Sequence, residues 1–176
     1  RKNTSADQES YYVALLNGSI TDGVIVVTPA ATNFSTAAPV VAIDPNNESP
    51  DCPAIIATNL KGATQAMEYL IGLGHRRIGF ITGRLELVSA IRGLQVYKGS
   101  LEAAGIPYDE ELVQVGDYTT ETAVGCARTL LSLDNPPTAI FGSNDMSAMG
   151  IYQAAEELGV TIPDDLSVIG FDNLRE

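Results

Sequence analysis

Six short apolar runs limit what this chain can fold into: GVIVV (23–27), VVAI (40–43), RIGFI (77–81), LVQV (112–115), TAIF (138–141) and SVIGF (167–171). Within them apolar residues follow one another with little polar alternation. That is the pattern of strands covered on both faces, as the strands of a parallel sheet are. Stretches with helical spacing separate the later runs. NLKGATQAMEYLIGLG sets Ala63, Ala66, Met67, Leu70 and Ile71 along one face, with Asn59 as the N-cap and Gly74 as the left-handed terminator. SAIRGLQVYKGSLEAAGIP repeats Ile91, Leu94, Tyr97, Leu101 and Ala104 about one turn apart. TTETAVGCARTLLS begins a third helix at Thr119 or Thr120, and a fourth runs from Asn144 to Leu158 and stops at Gly159. Strand and helix in this alternation imply right-handed crossovers and an α/β fold with doubly wound parallel sheets. A short leading helix, QESYYVALLNG, feeds the first run, and the aperiodic stretches 28–38 and 45–53 are expected to be loops.

Charge and composition narrow the function. Ten basic residues face twenty-two acidic ones, a net charge of −12 that opposes binding to a phosphate backbone. No apolar run approaches the ~20 residues needed to span a bilayer, and RKNTSADQES has no apolar signal-peptide core, so no membrane partner is expected and the expected location is cytoplasmic. Cys52 and Cys126 lack metal-ligand spacing and His75 is the single histidine, so no metal is expected and both thiols are expected free.

In open parallel sheets ligands bind beyond the carboxyl ends of the strands. The residues following each run are Thr28, Asp44, Thr82–Gly83, Gly116–Asp117–Tyr118, Ser143–Asn144–Asp145 and Asp172–Asn173. Carboxylates and amides bridge neighbouring hydroxyls, and an aromatic ring covers the apolar face of a sugar or stacks on a base. The set therefore suits a polyhydroxylated or heterocyclic small molecule. Each residue also has a plainer structural role: Asn144 can cap its helix, Asp145 can favour the positive end of the helix dipole, and Asp172 can start a turn. Enzyme signatures are missing. The sequence has neither GxGxxG after a strand nor a GxSxG elbow, and His75 precedes a strand, where local packing or capping is expected. No catalytic residue and no cofactor is expected.

AMEYLIGLGHRRIGFITG, GSLEAAGIPYDEELVQVGDYT and PTAIFGSNDMSAMGIYQAAEELGVTIPDDLSVIGFDN, in that order, resemble the effector-binding core of the LacI/GalR family of bacterial transcription repressors; LNGSITDGVIVVTP resembles its amino-terminal lobe. The resemblance implies a periplasmic-binding-protein-like module of two α/β lobes around a small-molecule cleft. Residues 1–58 would form a partial first lobe and 59–176 the second. It further implies a homodimer that reaches operator DNA through a helix-turn-helix headpiece lying ahead of this sequence, and an effector that is a sugar or a related molecule. By position, Asp172 and Asn144 match contacts to effector hydroxyls or ring nitrogens, Tyr118 the stacking aromatic, and Asp44 a first-lobe polar contact. The family's usual arginine falls on Gly93, and Arg92 stands one place earlier, about 100° around the helix. Arg92 completes the candidate set. The alternative function is a secreted sugar-binding protein serving a transporter, which has the same fold.

Overall fold

The computed structural model describes residues 6–16, 21–46 and 50–174, and the chain divides into two units, Arg1–Thr58 and Asn59–Glu176. Expectations touching residues 1–5, 17–20, 47–49 and 175–176, the end of the expected leading helix among them, lie outside the described residues.

In the amino-terminal unit a helix, α1 (Ala6–Leu15), precedes strands β1 (Val24–Val27), β2 (Val40–Ile43) and β3 (Ala54–Ile55), which pair in parallel in the order β1-β2-β3. Helix α1 is tied to the loop after β1, where the Glu9 carboxylate accepts the Ala31 backbone N–H at 2.9 Å. Register sets Ile25 opposite Val41, Val27 opposite Ile43, and Ile43 opposite Ile55, so these side chains share one face. On that face Ile25, Val27 and Ile55 remain 70%, 68% and 60% exposed. Among the described residues nothing covers this face of the amino-terminal sheet. An unbroken β-branched run reports a preference for extended backbone, not which faces are covered. Strand β3 was not anticipated: at two residues it is too short to leave a periodic signal.

The carboxyl-terminal unit holds a four-stranded parallel sheet ordered β5-β4-β6-β7, with β4 at Ile78–Thr82, β5 at Val113–Val115, β6 at Ala139–Gly142 and β7 at Ser167–Ile169. Helices α2 (Asn59–Gly72) and α3 (Val88–Ala103) cover one face, and α4 (Thr120–Leu131) and α5 (Asp145–Leu158) the other. Alternation along β4 and β6 sorts the core. Ile78, Phe80, Ala139 and Phe141 meet Met67, Leu70, Tyr97 and Leu101 from α2 and α3. Ile81 and Ile140 meet Val124, Ala127, Leu130, Ile151 and Ala154 from α4 and α5. The Phe80 ring stacks on both Tyr97 and Phe141, with centroids 5.2 and 5.1 Å apart. Tyr97 keeps its hydroxyl satisfied inside this core by donating to the Ile78 carbonyl at 2.7 Å. This is the doubly wound α/β fold expected from the sequence.

The amino edge of this sheet is stapled by side chains. His75 bonds through Nδ1 to Thr138 Oγ1 at 2.8 Å and through Nε2 to Ser167 Oγ at 3.1 Å, linking the starts of β4, β6 and β7. Arg77 donates to the Asn135 carbonyl at 2.6 Å and pairs with Asp109 at 2.7 Å, which holds the Asp109 carboxyl below its usual pKa. His75 thus has the local role the sequence suggested. Both cysteines are free thiols, and burial, followed by the Asp117 charge, pushes the Cys126 thiol upward in pKa.

Candidate functional site

In each unit the backbone departs from relaxed geometry beyond the carboxyl ends of the strands. Among the described residues the non-glycine positions with positive φ are Thr28 (46°), Asp44 (45°), Tyr118 (70°), Asp172 (110°) and Asn173 (59°). All of them lie just after β1, β2, β5 or β7. Such conformations cost about 1–3 kcal/mol each and persist where surrounding structure holds them, typically at ligand sites. Backbone strain and polar side chains therefore coincide at the strand exits.

In the carboxyl-terminal unit these exits are wired together. Thr119, not Thr120, caps α4, its hydroxyl accepting from Thr122 N. Asp117 Oδ1 in turn accepts the Thr119 N–H at 2.9 Å. This fixes the turn that carries Tyr118. The phenol lies across the backbone of Gly83 at the end of β4, so close that a β-carbon on residue 83 would overlap the ring. Its hydroxyl reaches Ser89 Oγ at 3.3 Å.

Asn144 caps α5: its Oδ1 accepts Ser147 N–H at 2.8 Å and Ser147 O–H at 2.6 Å. Its Nδ2 donates to the Tyr118 carbonyl at 3.1 Å, so the β6 exit braces the β5 exit and at most one amide hydrogen remains for a ligand. The structural role open to Asn144 in the sequence is thus filled, together with a bridge to Tyr118 that the sequence did not indicate.

Asp172 borders an open depression of about 680 Å³ that is lined also by Gly62, Gln65, Asp145, Gly170, Phe171 and Asn173. Asp172 is exposed, yet protein atoms packed beside its carboxyl, and then the neighbouring Asp145 charge, both push its pKa upward. The folded chain therefore holds this proton more tightly than the unfolded chain does. Stability is unaffected below the ordinary value of 3.8 and falls as pH rises through the folded-state pKa. Asp172→Asn removes this fall, so its stability relative to the parent should rise between pH 3.5 and 7 in urea titrations of the unliganded protein. An unchanged difference would mean that the carboxyl is not strained.

The remaining candidates, Asp44 and Arg92, stand on other elements. Asp44 belongs to the amino-terminal unit, where its Oδ1 accepts Ala57 N–H at 2.8 Å, tying the β2 exit to the segment after β3. Arg92 sits half-buried in the second turn of α3. A β-carbon on Gly93 would stand 3.7 Å from Phe80 Cζ, so position 93 faces the sheet while Arg92 points about 100° away from that direction. The sequence places Gly83 and Asp145 at strand exits but gives Gly83 no role of its own and Asp145, beyond its place there, a dipole role, and nothing in it singles out Ser89. A lone glycine at a strand exit was the available signal for the first. Among the described residues no cluster of His, Cys, Asp and Glu could hold a metal ion, and no helix is long and apolar enough to cross a membrane.

Comparison with known proteins agrees with this architecture. A family model described as a periplasmic binding protein-like domain matches residues 67–176. The HTH-type transcriptional repressor PurR of Vibrio atlanticus is 31% identical over 176 residues, covering 96% of this chain and 53% of its own. Among solved structures, a regulatory protein of the LacI family from Chloroflexus aggregans is 31% identical with a TM-score of 0.81, covering 96% of this chain and 63% of its own. A sugar-binding transcriptional regulator of the LacI family from Escherichia coli, complexed with phosphate, is 26% identical with a TM-score of 0.83, covering 98% and 64%. The chain spans about half the length of the curated relatives it matches. With parallel sheets, doubly wound helices and polar strand exits on one edge, the chain belongs to the periplasmic binding protein-like family, as an effector-binding domain of the LacI/GalR type.

Proposed function

We propose that this chain is the small-molecule-sensing core of a LacI-type transcription regulator, a binding module and not an enzyme. The observation that carries the reading is the coincidence of strained backbone with polar and aromatic side chains at the strand exits. In this reading a sugar or related polyhydroxylated effector is taken up at the carboxyl edge of the β5-β4-β6-β7 sheet. The Tyr118 ring covers its apolar face and Asp172 accepts from its hydroxyls, a charged hydrogen bond contributing about 1.5–3 kcal/mol. Asn144 offers its remaining amide hydrogen. Asp44 at the other unit's sheet edge, and the guanidinium of Arg92, are the further polar contacts proposed. The likeness to the sugar-binding regulator of Escherichia coli supports this class of ligand.

Operator DNA is contacted by a separate helix-turn-helix headpiece, since the net charge of −12 disfavours DNA on this surface. Effector binding changes operator affinity by a coupling of typically ~1–3 kcal/mol. Exposed Met146, Met149 and Tyr152 along α5 support a homodimer in which this apolar face is covered.

The test is a thermal-shift screen of the full-length protein against monosaccharides, disaccharides and nucleobases, because a ligand selective for the folded state raises the melting temperature. A hit should be lost in Asp172→Ala and in Tyr118→Ala, and should change the retention of operator DNA in a mobility-shift assay. Full-strength binding in both variants sinks the site assignment. A signal peptide encoded ahead of residue 1, in place of a helix-turn-helix, sinks the regulator in favour of a transporter's binding protein.

A further inference from the structure

A carboxylate in the first turn of α5 needs no partner to be favourable, since the helix dipole suffices. Asp145 nevertheless has one, with a second stretch of backbone packed close beside it. Its Oδ2 accepts the backbone N–H of Leu174 at 2.7 Å, a contact that reaches across 29 residues of chain. On the other side, a β-carbon added to Gly170 would stand 2.5 Å from Asp145 Oδ1, 3.1 Å from Ala148 Cβ and 3.4 Å from Asp145 Cα. The backbone at Gly170 is thus pressed onto the start of α5, and the two contacts bracket the segment from Phe171 to Asn173.

The bracketed segment is held from a third direction. A β-carbon on Gly62 would lie 2.8 Å from Phe171 Cε2, so the Phe171 ring is seated against the start of α2. Between these anchors run Asp172 and Asn173, two successive non-glycine residues at φ 110° and 59°. Without these anchors the segment would relax from that conformation toward negative φ, and the Asp172 carboxyl would turn with it.

We propose that Asp145 is a positioning residue, a latch that holds the Gly170–Leu174 segment closed on α5 so that Asp172 is presented at the sheet edge. The upward push that Asp145 exerts on the Asp172 pKa is a side effect of the same closeness. The latch itself follows from geometry; its consequence for ligand binding rests on the function proposed above, and the two are tested separately.

The first test needs no ligand. Hydrogen exchange followed by mass spectrometry on the full-length protein compares peptides over 170–174 with peptides from α5 and β6 in the parent, Asp145→Ala and Asp145→Asn. Alanine removes the acceptor, so exchange in 170–174 should accelerate about 10- to 100-fold, the range for losing a hydrogen bond to a charged group. The peptides of α5 and β6 should stay within about twofold. Asparagine retains an acceptor oxygen and should restore protection to within about threefold of the parent. Unchanged exchange in Asp145→Ala overturns the latch. Acceleration spread equally over α5 and β6 overturns it too, because Asp145 would then merely support the helix.

The second test uses whichever saccharide of the screen raises the melting temperature of the parent. Its affinity should fall about 10- to 100-fold in Asp145→Ala and recover in Asp145→Asn. Undiminished binding despite an opened segment overturns the presentation role. If no saccharide binds but the exchange pattern holds, the latch stands and the choice of sugar fails.

Discussion

Gly83→Ala should destabilise the protein and, on the function proposed above, weaken effector binding as well, and adding Tyr118→Ala should restore most of the stability but not the binding. The Tyr118 phenol lies where the new methyl would go, overlapping Cζ, Cε2 and the hydroxyl. The ring therefore has to leave. Its backbone cannot follow, because Tyr118 sits at φ 70° between the Asp117–Thr119 turn and the Asn144 amide that donates to its carbonyl. Overpacking of this kind costs about 1–3 kcal/mol. The displaced ring also gives up Ser89 and exposes its apolar face. Equilibrium urea unfolding of the single and double variants separates the two effects: the deficit of Gly83→Ala should shrink by more than half once the phenol is gone. A double variant as unstable as the single one would show that position 83 fails for a backbone reason unrelated to Tyr118.

That dependence also explains why the site was only partly legible in the sequence. Strand exits were readable because a β-branched run ends where a polar residue begins, and fold class followed from the alternation of runs with periodic helices. Tyr118, Asn144 and Asp172 therefore stood among the exit residues by position, and the family resemblance singled them out. What those residues touch was not. The bond from Asn144 to the Tyr118 carbonyl, and the one from Asp145 to Leu174, join positions 26 and 29 residues apart through parallel crossovers. No local spacing encodes such pairs. Asn144 illustrates the consequence, since a single side chain caps α5 and braces Tyr118, leaving little of it for a ligand. The uncovered face of β1 was hidden for a related reason: Ile25 and Val27 have the residue types of a covered strand, while coverage depends on which elements pack against them. The two sheet edges differ in kind. Bonded side chains staple the amino edge through His75 and Arg77, whereas the carboxyl edge carries the strained residues, a division expected when one edge serves stability and the other serves binding.

The largest stability effect is expected away from both edges, at Gly150. Helices α4 and α5 pack directly against each other, and a β-carbon on Gly150 would stand 2.6 Å from Ala123 Cβ, 2.6 Å from the Thr120 carbonyl oxygen and 2.9 Å from Val124 N. Two of those three atoms are backbone at the start of α4, so no side chain can swing aside to make room. Accommodation requires α4 to move outward. That movement would open the core in which Val124, Ala127 and Leu130 meet Ile81 and Ile140. Gly150→Ala should therefore cost about 3 kcal/mol, the upper end for overpacking, even though alanine is the better helix former by about 1 kcal/mol. Gly125 provides the control, since it too lies inside a helix but is exposed, with nothing within 4 Å of an added β-carbon. Gly125→Ala should stabilise by about 1 kcal/mol through propensity alone. The two substitutions are chemically identical, so opposite shifts in the urea midpoint isolate helix packing from helix propensity. Equal shifts would mean that α4 and α5 are not in the close contact described here.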